Sequence, residues 1–154
     1  MAIHAPVTLR INGQARTVQA APQARLLDLL RDELGLKGCR EGCGANTCGA
    51  CHVLLDDHAV AACDTPLWAA QGHAITTVEG LDNRFRAAFE AEQAAQCGYC
   101  SSGMLVAAAA LLRRLPQPSE AAVRQALDGQ LCRCGAHNRI VRAVLRAAQA
   151  LMSA

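Results

Sequence analysis

Aromatic residues are nearly missing from this chain of 154 residues: one Trp, one Tyr and two Phe make up 3% of it, although 52% is hydrophobic. Ala, Leu and Val must build the interior, a composition that favours close-packed helices. Long apolar runs are missing too. The longest, Met104 to Leu112, is about half of the roughly 20 residues that a membrane span requires. Net charge is only +2, which gives no reason to expect nucleic acid as a partner. Met1 to Val7 holds no basic segment leading into an apolar one, so no secretory signal is read there. No nucleophile–base arrangement, Walker loop or G-x-G-x-x-G fingerprint is present, so the chain is expected to supply no substrate chemistry itself.

Cysteine, by contrast, is abundant. There are nine, and an odd number argues against a closed disulfide framework. A cytoplasmic, reducing compartment in which the thiols bind metal is the expectation. The modest charge is also uneven. Residues 1–80 carry six Lys/Arg against eight Asp/Glu, and residues 81–154 carry nine against five, −2 against +4. That split suits two domains with different neighbours.

In the first half Val7, Leu9 and Ile11 alternate with polar residues, and Asn12-Gly13 is a two-residue hairpin signal. A helix is expected from about Gln23 to Leu34, stopped by Gly35. A glycine-rich loop, Gly38 to Cys51, leads into a strand at His52 to Leu55. Asp56-Asp57-His58 turns the chain back through Val60 to Cys63. Thr65-Pro66 should cap a short helix ending at Gly72, and a last strand should cover Ile75 to Val78. After Gly80 the period changes from two to 3.6. Helices are expected over Arg84 to Ala95, Ser102 to Leu115, Glu120 to Leu127 with Ser119 as N-cap, and Asn138 to Leu151. A four-helix bundle is the natural way to bury their faces. The chain therefore reads as α+β, with domains at 1–80 and 81–154.

Cys43-x4-Cys48-x2-Cys51 followed by the distant Cys63 has plant-type [2Fe–2S] spacing. Three thiolates from one short loop must curl around a small cluster, and Gly42, Gly44, Ala45, Gly49 and Ala50 keep side chains out of the way. Backbone N–H groups can then face the sulfurs and offset a formal charge of about −2. Zinc prefers paired C-x2-C knuckles, which this spacing fits poorly. Rieske ligation needs two histidines; His52 follows Cys51 on a strand, points to the other face, and is expected at the surface. The second set is Cys97-x2-Cys100 with Cys132-x-Cys134. By spacing alone it leaves zinc open. Both halves precede helices, whose N-termini offer free N–H donors to an anionic cluster.

Gly42-Cys43-Gly44, Cys48-Gly49-Ala50-Cys51, Gln96-Cys97-Gly98-Tyr99-Cys100 and Leu131-Cys132-Arg133-Cys134-Gly135 together resemble the iron–sulfur subunit of the xanthine dehydrogenase/aldehyde oxidoreductase family of molybdenum hydroxylases. Thr76-Thr77-Val78-Glu79-Gly80-Leu81 between the domains fits the same pattern. Most similar are the small chains of bacterial nicotinate, isoquinoline and aldehyde oxidoreductases. The resemblance implies a β-grasp, plant-type ferredoxin-like domain followed by a helical domain, and two [2Fe–2S] clusters on eight cysteines. It also implies a molybdopterin-binding large subunit whose pterin lies beside Gln96 and Cys134. Electrons would run from molybdenum through the helical-domain cluster and the ferredoxin-like cluster to a flavin subunit or a cytochrome c, during hydroxylation of an aldehyde or N-heteroaromatic substrate. The rivals are a free-standing two-cluster ferredoxin and a zinc-stabilised interaction module.

Where the family commonly has Gly-Thr-Lys, this chain has Gly38-Cys39-Arg40, which makes Cys39 the surplus thiol. His52 replaces the usual Thr after the third ligand. Arg133 either tunes the second cluster or faces the partner. His4, His58, His73 and His137 are expected to be solvated, and Trp68 and Tyr99 to serve packing.

Overall fold

The computed structural model describes residues 4–153. Its first hairpin follows from the local signals. Strands β1 (Ala5–Ile11) and β2 (Gln14–Ala20) pair antiparallel. Asn12 and Gly13 between them both take positive φ, 50° and 81°, the twist that two-residue hairpins need. Val7, Leu9 and Ile11 all point inward. Helix α1 begins at Leu26–Asp28 and widens into a π turn over Leu29–Glu33. It starts three residues later than its sequence pattern suggests, because Arg25 is held extended by a bridge to Pro66. After the cysteine loop come β3 (His52–Leu55), β4 (His58–Ala61), the short α2 (Leu67–Ala70) and β5 (Ala74–Thr76). The five strands form one sheet in the order β2-β1-β5-β3-β4, in which only β1 and β5 are parallel. One core, with Leu9, Leu26, Leu30, Val53, Leu67 and Ile75 at its centre, fills the space between sheet and helix. Each such fully buried side chain contributes about 1.5–3 kcal/mol.

Two expectations shift here. Thr65 does not cap α2; its hydroxyl donates to the Ala61 carbonyl at 2.8 Å, and Pro66 takes the N-cap position. The strand at Ile75 stops at Thr76 because Thr77 turns inward. Its amide and hydroxyl bond the Asn12 side chain, both at 2.9 Å, and a 3₁₀ turn follows over Val78–Gly80.

Four helices make the second half: α3 (Asn83–Ala91), α4 (Ser101–Arg114), α5 (Glu120–Ala126) and α6 (His137–Met152). Asp82 caps α3 through the Arg84 amide at 2.8 Å, and Ser119 caps α5 through that of Ala122 at 3.2 Å. The first helix ends at Ala91, four residues early, where Gln93 adopts φ 48°. Helix α4 is buried along almost its whole length, and its Ala107–Ala110 run lets neighbours approach closely. The two halves share strand β3. Val53 enters the first core and Leu54 the helical one, as the period of two requires, and α4 packs on β3 and β4.

Candidate metal centres

The first cysteine group sits on the loop between α1 and β3. Left-handed φ values at Gly44 (65°), Asn46 (53°) and Gly49 (78°) curl this loop, so that successive amides face inward, an anion-binding arrangement. The Cys43 sulfur accepts from the amides of Ala45 at 3.4 Å and Thr47 at 3.3 Å. The Thr47 side chain and these amides lower the Cys43 thiol to about 6, so it is poised as a thiolate. A Cβ on Gly42 would lie 2.7 Å from the Cys48 sulfur, so glycine leaves room that any other residue would fill. The β3–β4 hairpin brings in the fourth thiol. His52 pairs with Ala61, the Ala62 amide donates to the Cys51 carbonyl at 3.3 Å, and the side chains of Cys51 and Cys63 meet. Burial, with Cys63 alongside, pushes the Cys51 thiol up to about 12. Asn46 ties the loop to the Cys63 segment through Asp64 at 3.2 Å.

The second group comes from two turns. Cys97 and Cys100 flank Gly98-Tyr99, with Gly98 at φ 77°, and Cys100 is the residue before α4. Cys132 and Cys134 flank Arg133, just before Gly135 at φ 70° and the start of α6. The Tyr99 amide and then the Cys134 thiol lower Cys97. Burial, with Cys132 beside it, pushes Cys100 up to about 12. For Cys132 burial pushes upward, but the Ala136 amide, the Cys100 thiol and the amides of Cys134 and Gly135 outweigh it and leave it lowered. The sulfurs thus pair, Cys97 with Cys134 and Cys100 with Cys132.

This chemistry fits two-iron clusters, in which each iron takes two thiolates. The donor set is all thiol, six of the eight sulfurs meet in pairs, and amides are already directed at Cys43, Cys97 and Cys132. Cys39 stands apart: it is buried, its thiol donates to the Cys51 carbonyl at 3.0 Å, and burial pushes it up to about 12.

The two loops touch. The Leu131 amide donates to the Cys48 carbonyl at 3.0 Å, which links a residue of the first group to the neighbour of Cys132. Ser102 donates to the Ala50 carbonyl at 3.3 Å, and the Tyr99 hydroxyl to that of Glu41 at 2.5 Å. Arg40 reaches the Gly98 carbonyl. Exposure differs between the two groups. Glu41 to Thr47, with Cys43, lie open to solvent on one side, and Gln96, Cys97, Leu131 and Arg133 lie open by the second group.

Three residues differ from their sequence expectations. His52 is not a surface residue: it is half-buried, its Nδ1 lies 2.8 Å from the Gln130 amide nitrogen, and burial lowers its pKa. Trp68 does not serve packing within the chain, since 63% of it is exposed. Tyr99 is half exposed and works through its hydroxyl and ring face instead. Gln130, only 4% exposed, carries little signal in the sequence. Its one signal is a polar residue immediately before Leu131-Cys132, where the cysteines dominate the pattern. Of the four remaining histidines, His4, His58 and His73 are exposed and His137 is half-buried; His73 bonds Asp56 at 2.7 Å.

Comparison with known proteins finds two adjoining family models. The "2Fe-2S iron-sulfur cluster binding domain" matches residues 9–76 and the "[2Fe-2S] binding domain" matches 77–145. One of the subunits of nicotinate dehydrogenase from Pseudomonas putida is 48% identical, over 93% of this chain and 94% of its own. The alpha chain of isoquinoline 1-oxidoreductase from Brevundimonas diminuta is 45% identical, over 90% and 95%. Among solved structures, a chain of quinoline 2-oxidoreductase from Pseudomonas putida superposes with a TM-score of 0.92 at 35% identity, covering 98% of both chains.

Proposed function

Because the chain belongs to the iron–sulfur small subunits of the molybdenum hydroxylase family, we propose that eight of its cysteines form an electron relay. It would run from a large molybdopterin-binding subunit to an external acceptor. Cys43, Cys48, Cys51 and Cys63 would hold one [2Fe–2S] cluster, and Cys97, Cys100, Cys132 and Cys134 the other. When bound, the clusters supply one-electron carriers in series. The chain's own residues do the rest. The Ala45, Thr47, Tyr99 and Ala136 amides stabilise thiolate charge, and Gly42 keeps the loop close to Cys48. The Leu131–Cys48 hydrogen bond joins the two ligand-bearing segments through backbone alone, and this is the observation that carries the reading.

Gln96 and Cys134 are assigned to the pterin side. Both lie by the second group, where Cys97, Leu131 and Arg133 are open to a partner, and the family resemblance supplies the rest. The opposite loop, around Cys43, would face a flavin subunit or a cytochrome c. Residues 1–80 and 81–154 are taken as the two domains, and the cytoplasm as the compartment. No described helix is long and apolar enough to cross a membrane. The free-standing ferredoxin is not favoured: a plant-type domain alone would suffice for it, and the second, four-helix cluster domain would have no role.

The test is chemical. The purified chain should carry roughly four irons with acid-labile sulfide, bleach on addition of dithionite, and turn over neither aldehydes nor N-heteroaromatics. Zinc without sulfide would favour the interaction module, and turnover by the chain free of molybdenum would end this reading.

A further inference from the structure

Arg40 belongs to the first cysteine loop by its backbone and to the second by its side chain. Its amide donates to the Ala50 carbonyl at 3.3 Å, next to Cys51. Its guanidinium crosses the junction, bonds the carbonyl of Gly98 between Cys97 and Cys100, and stacks on Tyr99 with 5.4 Å from its central carbon to the ring centroid. The Tyr99 hydroxyl returns across the junction to the Glu41 carbonyl. Among the described residues no carboxylate pairs with Arg40. Its neighbour Glu41 is engaged by Arg25 at 2.7 Å. The guanidinium therefore carries an unneutralised positive charge, half-buried, within reach of both ligand loops.

We infer that Arg40 is a cation shared by the two cluster sites that raises the reduction potential of both. The inference rests on the ligand assignment above. Each cluster accepts one electron, from substrate oxidation in the complex or from dithionite in a titration, and so gains one negative charge. Cluster potential responds to net charge, hydrogen bonding and solvent exposure. A fixed cation in a partly desolvated position favours the more negative, reduced form. Because it serves both sites, it also offsets the repulsion between two reduced clusters. The cation–π contact with Tyr99 and the Gly98 bond hold the charge in place. Arg40 is a positioning and tuning residue, not a ligand.

Redox titrations followed by EPR on the intact chain test this, with iron counted in every sample. Arg40→Gln removes the charge, and both midpoint potentials should fall. Arg40→Lys keeps the charge without the planar fork, and should stay near wild type. A Gln variant at wild-type potentials, or a Lys variant that falls as far as Gln, overturns the inference and leaves a merely structural clasp. If Arg40→Gln does not hold iron, Arg40→His gives the answer within a single folded protein. Its potentials should fall as pH rises from about 5.5 to 8, through the histidine pKa, while wild type is flat by comparison. A flat response, or loss of iron from both charge-removing variants, counts against it, since a tuning residue is dispensable for assembly. Wild type without two clusters would instead defeat the ligand assignment itself.

Discussion

Replacing Gly103 by Ala should destabilise this protein, against the usual preference of helices. In a free helix the change gains about 1 kcal/mol. Here Gly103 lies in the first turn of α4, where that helix meets the cysteine loop. A Cβ at this position would sit 2.9 Å from the Gly49 carbonyl carbon, closer still to its oxygen, and 2.9 Å from Gln130 Oε1. The oxygen belongs to backbone fixed between Cys48 and Cys51, so it cannot swing aside as a long side chain would. Overpacking of this kind costs typically 1–3 kcal/mol, so the net loss should be up to about 2 kcal/mol. For a chain of this size that is a fall in Tm of up to roughly 8 °C. Gly129→Ala is the control, since nothing lies within 4 Å of its added Cβ. Thermal melting of the iron-loaded chains, at equal iron content, makes the comparison. Because α4 must move off the loop, the Gly103 variant should also pass electrons between the clusters more slowly. A Gly103→Ala protein as stable as the Gly129→Ala control would refute the close-contact reasoning.

Cys39→Ser should keep roughly four irons per chain, since the serine hydroxyl can still donate to the Cys51 carbonyl; loss of half the iron would show the first ligand set to be misassigned. Asp82→Ala should cost about 1 kcal/mol at pH 7 by removing the α3 cap. The Arg84 side chain lowers the Asp82 carboxyl to about 2, below its unfolded value, so the contribution is lost only as pH falls through about 4 to 2. The Asp82→Ala deficit in Tm should therefore be constant from pH 8 to 5. In the assembled enzyme, Cys132→Ser should stop substrate from reducing the Cys43 cluster, whereas Cys48→Ser should leave the helical-domain cluster reducible and block passage outward. Rapid-freeze EPR on samples with checked iron content and assembly distinguishes them, and a Cys43 cluster that fills at the wild-type rate in Cys132→Ser would reverse the order.

Much of this was legible because the signals are local. Asn12-Gly13 specifies its hairpin whatever surrounds it, Ser119 caps the helix it precedes, and Cys43-x4-Cys48-x2-Cys51 is a local pattern, whereas the spacing of the second cysteine set leaves zinc open and needs the family resemblance beside it. What was not legible depends on neighbours distant in sequence. α1 starts late because of Pro66, some forty residues on, and the last strand stops early because Thr77 turns to Asn12. His52 reads as a surface residue from strand alternation, yet the face it points to is covered by Gln130 from the other half of the chain. Trp68 illustrates the converse: an isolated aromatic invites a packing role, and only the folded chain leaves it outside.

Among the described residues three polar ones, Thr77, Ser102 and Gln130, are buried, and all three lie near where the halves of the chain join. Ser102 and Gln130 have partners across that junction, at the Ala50 carbonyl and His52, and Thr77 is tied within the first half to Asn12. Buried polar groups are tolerated when satisfied, and they then fix one arrangement over others that would leave them unpaired. The cysteine loops have little regular structure of their own, so they take hydrogen-bond partners from each other: Leu131 for Cys48, Tyr99 for Glu41, Arg40 for Gly98. Neither loop is complete by itself. A relay needs a fixed separation between its two sites, since electron transfer weakens steeply with distance. Apolar packing alone lets surfaces slide, whereas directional bonds to named carbonyls do not. The same junction that satisfies the loops therefore sets the spacing on which transfer depends, which is a physical reason for carrying both cysteine groups on one chain.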